Sequence, residues 1–244
     1  MCAAIMIVGS VLYVAPARAT TCFSGEQNTF VRHGGISTIW NSEGIWGENY
    51  IRDQALGSCP YPLERHSTVH IRSQYGDDWV EIGWFKEDDG SAPYWQGFAE
   101  WGIKVNGVDY DEGYRTFGST CVLNDILEPD HWARFKTYYV SGTSPAQWNL
   151  YYDDANNGTY CFAGKFTDVT FSQGLNSGET GLTGGSDTIA YDHFPTMNYS
   201  AQGNDTGWTA WQTNFWWQNC IPGWGRNWLA NNAWEIQSGY SCPQ

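Results

Sequence analysis

From Trp79 to Lys86 the chain reads Trp-Val-Glu-Ile-Gly-Trp-Phe-Lys, and its apolar and mixed positions alternate with a period of two. That is the period of a pleated strand, whose successive side chains point to opposite faces. Val80, Ile82 and Trp84 form one face, apolar enough for a core. Trp79, Glu81, Gly83 and Phe85 form the other, where one carboxylate stands between aromatic residues. An acid framed in this way is poorly solvated, which makes Glu81 a candidate for chemistry.

The same pattern recurs along the chain. Apolar residues seldom repeat at helical spacing, whereas short runs rich in Val, Ile, Thr, Tyr, Phe and Trp lie between Gly, Asn and Asp clusters. Strands are expected at Gly35 to Trp40, Thr68 to Ser73 and Tyr94 to Val105. Further strands are expected at His131 to Val140, Trp148 to Asp153, Thr159 to Phe162 and Phe166 to Phe171, with closing strands at His193 to Ser200 and Trp208 to Trp217. Glu87 to Ser91 reads as a hairpin turn. On the strand that returns from it, Trp95, Ala99, Trp101, Ile103 and Val105 share one face and Tyr94, Gln96, Phe98, Glu100 and Lys104 the other. Ser172 to Ser186 is glycine-rich and reads as a loop carrying Glu179. No internal repeat or long linker divides the chain, so the expected fold is all-β: one antiparallel β-sandwich of packed sheets with an outer groove.

Residues 1–19 read as a signal peptide. An apolar run from Ala3 to Val14 leads into Ala15-Pro16-Ala17-Arg18-Ala19, a small-residue cleavage pattern before Thr20. No later stretch approaches the roughly 20 apolar residues of a membrane-spanning helix. The expectation is a secreted, extracellular protein whose single domain occupies residues 20–244, with an aromatic-rich tail from about residue 218. Beyond Cys2, the cysteines are Cys22, Cys59, Cys121, Cys161, Cys220 and Cys242. They are even in number, widely spaced and without a CxxC pair, which suits three disulfides rather than zinc. Sequential pairing is the natural guess, and a Cys220–Cys242 link would stabilise by about 3 kcal/mol. The net charge of −14 argues against nucleic acid and anionic membrane surfaces as partners.

Several chemistries lack their residues. His66 and His70 are four apart, but no HExxH occurs, and neither a metal nor any other cofactor is expected. No GxSxG elbow supports a serine nucleophile, and no GxxxxGK[ST] loop supports a phosphate site. Carboxylates and aromatics remain. Glu81, Glu100 and Glu179 each have apolar residues, glycine or threonine beside them and no Lys or Arg at either adjoining position. Two carboxylates around one water can divide their protonation into a base and an acid, a pairing that serves peptide or glycoside hydrolysis. Aromatic rings at Trp79, Phe85, Tyr94 and Phe98 could grip an extended peptide or stack on sugar rings. The bland alternative is that many of the 15 Trp and 15 Tyr simply pack a core.

The run Trp79-Val80-Glu81-Ile82-Gly83-Trp84, followed by Phe98-Ala99-Glu100-Trp101, resembles the first characteristic block of the neprosin-type glutamic peptidases. Gly178-Glu179-Thr180, set between Trp148-Asn149-Leu150-Tyr151-Tyr152 and His193-Phe194, is similar to the block carrying that family's second glutamate. The likeness runs loosely from about Val69 to Trp211. It implies a secreted, acid-acting endopeptidase on a β-sandwich, with some members favouring cleavage next to proline. It also implies Glu81 and Glu179 as the two catalytic glutamates with a water held between them. Trp79, Phe85, Tyr94, Phe98 and Glu100 would then line the substrate site, and the partner would be an extracellular protein or peptide. The competing expectation is a non-catalytic sandwich that binds a polysaccharide or another surface polymer through its Trp and Tyr residues.

Overall fold

The computed structural model describes residues 29–34, 42–51, 53, 63–73, 78–88, 94–105, 108–117, 130–153, 160–169, 171, 174–183, 192–194, 197–210, 217–219, 224–230 and 233–238. Every regular element among them is a strand: β1 (Thr29–Gly34), β2 (Gly44–Ile51), β3 (Leu63–Ser73), β4 (Trp79–Asp88), β5 (Tyr94–Val105), β6 (Val108–Phe117), β7 (His131–Val140) and β8 (Ala146–Asp153). The series continues with β9 (Cys161–Val169), β10 (Gly174–Thr183), β11 (Asp192–Phe194), β12 (Met197–Ser200), β13 (Trp208–Ala210), β14 (Trp217–Asn219), β15 (Trp224–Ala230) and β16 (Ala233–Ser238). No helix among them is long and apolar enough to cross a membrane.

The strands form three antiparallel sheets. A seven-stranded sheet runs β14-β1-β10-β3-β4-β5-β6, a six-stranded sheet runs β13-β12-β2-β7-β8-β9, and a small third sheet runs β11-β16-β15. The core lies between the two large sheets. From the seven-stranded sheet come Val69, Ile71, Val80, Ile82, Trp84, Ala99 and Trp101; from the six-stranded sheet come Ile45, Ile51, Ala133, Phe135, Trp148, Leu150 and Tyr152. These are the apolar positions of alternating strands, so each pleat sends one side into the core. The predicted core face of β4 is fully buried at Val80, Ile82 and Trp84.

Charges at the margins of the aromatic packing are individually met. Lys86, on the inward face at the far end of β4, reaches Asp53 at 3.0 Å and lies 4.7 Å from the Trp95 ring centre. On the outer face of the six-stranded sheet, Lys136 bonds both Asp205 oxygens at 2.9 Å and lies 4.2 Å from the Tyr160 ring centre. Its neighbours Tyr138 and Tyr151 stack at 5.6 Å. Ion pairing and ring contact together compensate these cations for lost water.

Five sequence expectations change. Ser172 to Ser186, expected as a loop, contains β10, which pairs with β1 on one side and β3 on the other. The runs at Thr159 to Phe162 and Phe166 to Phe171 are joined in one strand, β9, across Gly164, whose φ of +146° suits glycine alone. The ladder to β8 slips register at that level. His193 to Ser200 is split between β11 and β12, in different sheets, and Trp208 to Trp217 supplies β13 and the start of β14, again in different sheets. The tail after Cys220 makes the β15–β16 hairpin and with β11 a third sheet. Strands β1, β2 and β6 fall where no strand is expected. The expected strand at Gly35 to Trp40 lies outside the described residues, as do five of the six paired-cysteine candidates; Cys161 alone is described, half-buried against the core.

Two measurements check this packing. Phe135→Ala should lower the free energy of unfolding by about 3–5 kcal/mol in a denaturant titration, since its ring is fully buried. Burial pushes the phenols of Tyr138 and Tyr160 well above the ordinary tyrosine value, with a Tyr151 hydrogen bond adding to the effect at Tyr138. In the unfolded chain these phenols ionise near pH about 10, where the fold still holds their protons. The folded state then binds more protons than the unfolded one, so stability is complete below that range and declines as pH rises through it. Thermal melts should therefore show a loss above pH about 10. The Tyr160 hydroxyl is buried with no hydrogen-bond partner among the described residues, so Tyr160→Phe should be no less stable at neutral pH and should flatten the alkaline decline.

Candidate active site

Because Val80, Ile82 and Trp84 point into the core, Glu81, Gly83 and Phe85 occupy the opposite face of the seven-stranded sheet. That face is nevertheless buried at its centre. Glu81 is 5% exposed, Phe85 5%, Phe98 4% and Thr68 0%. Ring-on-ring packing makes part of this second layer: Phe85 meets Phe98 edge-to-face at 5.7 Å and Tyr94 at 5.9 Å. Tyr94 is held in turn by a hydrogen bond from its hydroxyl to Glu87 Oε2. Trp79, half-buried, lies across its cross-strand partner Gly102, where a Cβ would come within 2.0 Å of the indole. Glycine lets the ring come close to the backbone of β5.

The ladders fix what stands beside Glu81. On β5 its partner is Glu100, half-buried, and on β3 its partner is His70. One pleat along, a row runs Glu179, Thr68, Gly83, Phe98 across β10, β3, β4 and β5. Directly paired residues share a face, as do positions two apart on one strand. Glu81 and Glu179 therefore hold register positions on the same face, with β3 between their strands. Arg32 of β1 stands opposite Glu179 on its far side. The side chain of Glu179 lies outside the described residues.

The hydrogen bond that fixes Glu81 comes from the intervening strand. Thr68 Oγ1 donates to Glu81 Oε2 at 3.1 Å. Nothing in the sequence singles out Thr68. Alternation places it on the outward face with His70 and Arg72, but only the β3–β4 register shows that it meets Glu81. Chemically, the face offers one oriented carboxyl group, a second glutamate position across one strand, and an aromatic wall at Phe85, Phe98 and Tyr94. Gly83, buried beside Glu81, contributes no side chain of its own. Among the described residues, no group of three His, Cys, Asp or Glu could hold a metal ion.

No family model matches the sequence, and no curated protein matches it at a significant level. Solved structures do. Scytalido-glutamic peptidase with a peptide-based transition-state analogue superposes with a TM-score of 0.51 at 10% identity, covering 89% of this chain and 100% of that one. The same peptidase with a transition-state analogue inhibitor gives a TM-score of 0.53, also at 10% identity, with the same coverage. At such identity the likeness is one of architecture. The chain has a glutamic-peptidase-like fold, and the structural likeness does not single out the neprosin type.

A substitution checks the aromatic arrangement. Gly102→Ala should displace the Trp79 indole, seen as a change in near-ultraviolet circular dichroism and indole fluorescence. The cost is about 1–3 kcal/mol of stability, as for other overpacked sites.

Proposed function

We propose that the protein is a secreted glutamic endopeptidase that hydrolyses peptide bonds at acid pH with a water activated between Glu81 and Glu179. The observation that carries this reading is the shared face: one glutamate buried and oriented, the other at a register position across a single intervening strand. Its support from outside the chain is a fold in common with scytalido-glutamic peptidase. The short blocks around the two glutamates, which resemble neprosin-type peptidases, add to it.

The chemistry needs one carboxylate and one carboxylic acid. The ionised glutamate takes a proton from water as the water oxygen bonds to the scissile carbonyl carbon, and the protonated glutamate gives its proton to the carbonyl oxygen. When the tetrahedral intermediate collapses, the first glutamate returns its proton to the amide nitrogen, the C–N bond breaks, and the hydroxyl proton goes back to the second. No metal or other cofactor enters this cycle. The aromatic wall at Phe85, Phe98 and Tyr94, with Trp79 and Glu100, would bear on the substrate chain. The substrate is an extracellular protein or peptide. Three disulfides, a signal peptide at residues 1–19 and a single domain over residues 20–244 belong to the same proposal.

The test is hydrolysis of a denatured protein, or of a proline-containing peptide, below about pH 5, where one member of such a dyad keeps its proton. Glu81→Gln and Glu179→Gln should each remove nearly all activity, while circular dichroism shows each variant folded. Wild-type rates in either variant would sink the two-glutamate mechanism.

A further inference from the structure

We infer that Thr68 is a positioning residue that divides the work of the two Glu81 oxygens, an assignment that rests on the peptidase reading above. Thr68 is fully buried and lies on the strand between those of the two glutamates, directly opposite Glu179 in one ladder and Gly83 in the other. Its hydroxyl donates to Oε2 of Glu81 at 3.1 Å. Oε1 accepts no hydrogen bond from any described residue. One oxygen is therefore anchored, and the assignment leaves the other to the reacting water. Whatever proton Glu81 exchanges with the reacting water travels on Oε1.

The residue type suits this role. A threonine is β-branched, so its χ1 is stiff in a strand and its hydroxyl direction is fixed at little entropic cost. A carboxyl group whose terminal torsion is otherwise broad needs such an anchor to hold one oxygen toward a reactant. The anchor is neutral. The orientation it gives therefore does not itself bring a counter-charge that would hold the group in one protonation state. An acid–base catalyst must change protonation state in every turnover, and a hydroxyl can serve both states by rotating between donor and acceptor.

Three substitutions separate this role from packing. Thr68→Val keeps the shape and removes the hydroxyl, while Thr68→Ser keeps the hydroxyl and removes a buried methyl group. Positioning predicts that Thr68→Val loses up to about a hundredfold in kcat on a peptide substrate at acid pH, with KM within about twofold of wild type. It predicts that Thr68→Ser stays close to wild type in kcat. A packing role predicts the reverse order, with Thr68→Val active and Thr68→Ser impaired, and that result overturns the inference. Should Thr68→Val fail to fold, Thr68→Ala must show the same loss of kcat against Thr68→Ser. An inactive wild-type protein would defeat the peptidase reading and this assignment together, whereas an active wild type with an equally active Thr68→Val defeats the assignment alone.

Discussion

The pleat of β4 is the constraint on which the rest of the molecule depends. Its residues alternate between a core face at Val80, Ile82 and Trp84 and a site face at Glu81, Gly83 and Phe85. A slip of one residue against β3 or β5 would turn both faces over at once, placing a glutamate in the core and a tryptophan on the site. The register is held by packing on both sides of the same strand. Trp84 and its neighbours anchor one side against the six-stranded sheet, and the Phe85–Phe98 contact anchors the other. The position of Glu81 follows from that double anchoring.

Buried polar groups divide into two kinds. Lys86 and Lys136 sit in aromatic surroundings, and each is met by a carboxylate and a ring, the arrangement expected of charges retained for structure. Glu81 is as deeply placed, yet its described partner is one neutral hydroxyl. A structural acid in such a place would gain from a cation. An acid that has to exchange a proton gains from being oriented without being charge-locked. The contrast between these groups, more than the burial of Glu81 alone, supports the catalytic role proposed for it.

Strands whose residues alternate cleanly are legible from local pattern alone. β4, β5 and β7 fall where expected, His131 to Val140 to the residue, and the pairing of Glu81 with Glu100 follows from the hairpin. β10 is not legible in this way, because Gly-Leu-Asn-Ser-Gly-Glu-Thr-Gly-Leu-Thr has the composition of a loop. What makes it a strand is pairing along both edges, with β1 and β3, and strand formation depends on such neighbours more than on intrinsic preference. β2, with its internal glycine and Asn49 turned toward the core, is hidden for the same reason. The division of His193 to Ser200 between two sheets is likewise invisible locally, since nothing in a short run records which edge it will meet.

Local pattern alone is enough to make β4 a strand, to turn Val80, Ile82 and Trp84 toward a core, and to set Glu81 on the other side among aromatic residues. Those features follow from a period of two, which is a property of neighbouring residues. Tertiary structure alone decided that Glu179 lies in a central strand of the same sheet, on the face of Glu81, and that Thr68 stands between them with its hydroxyl on Oε2. Those features depend on register between distant segments, which no local pattern encodes.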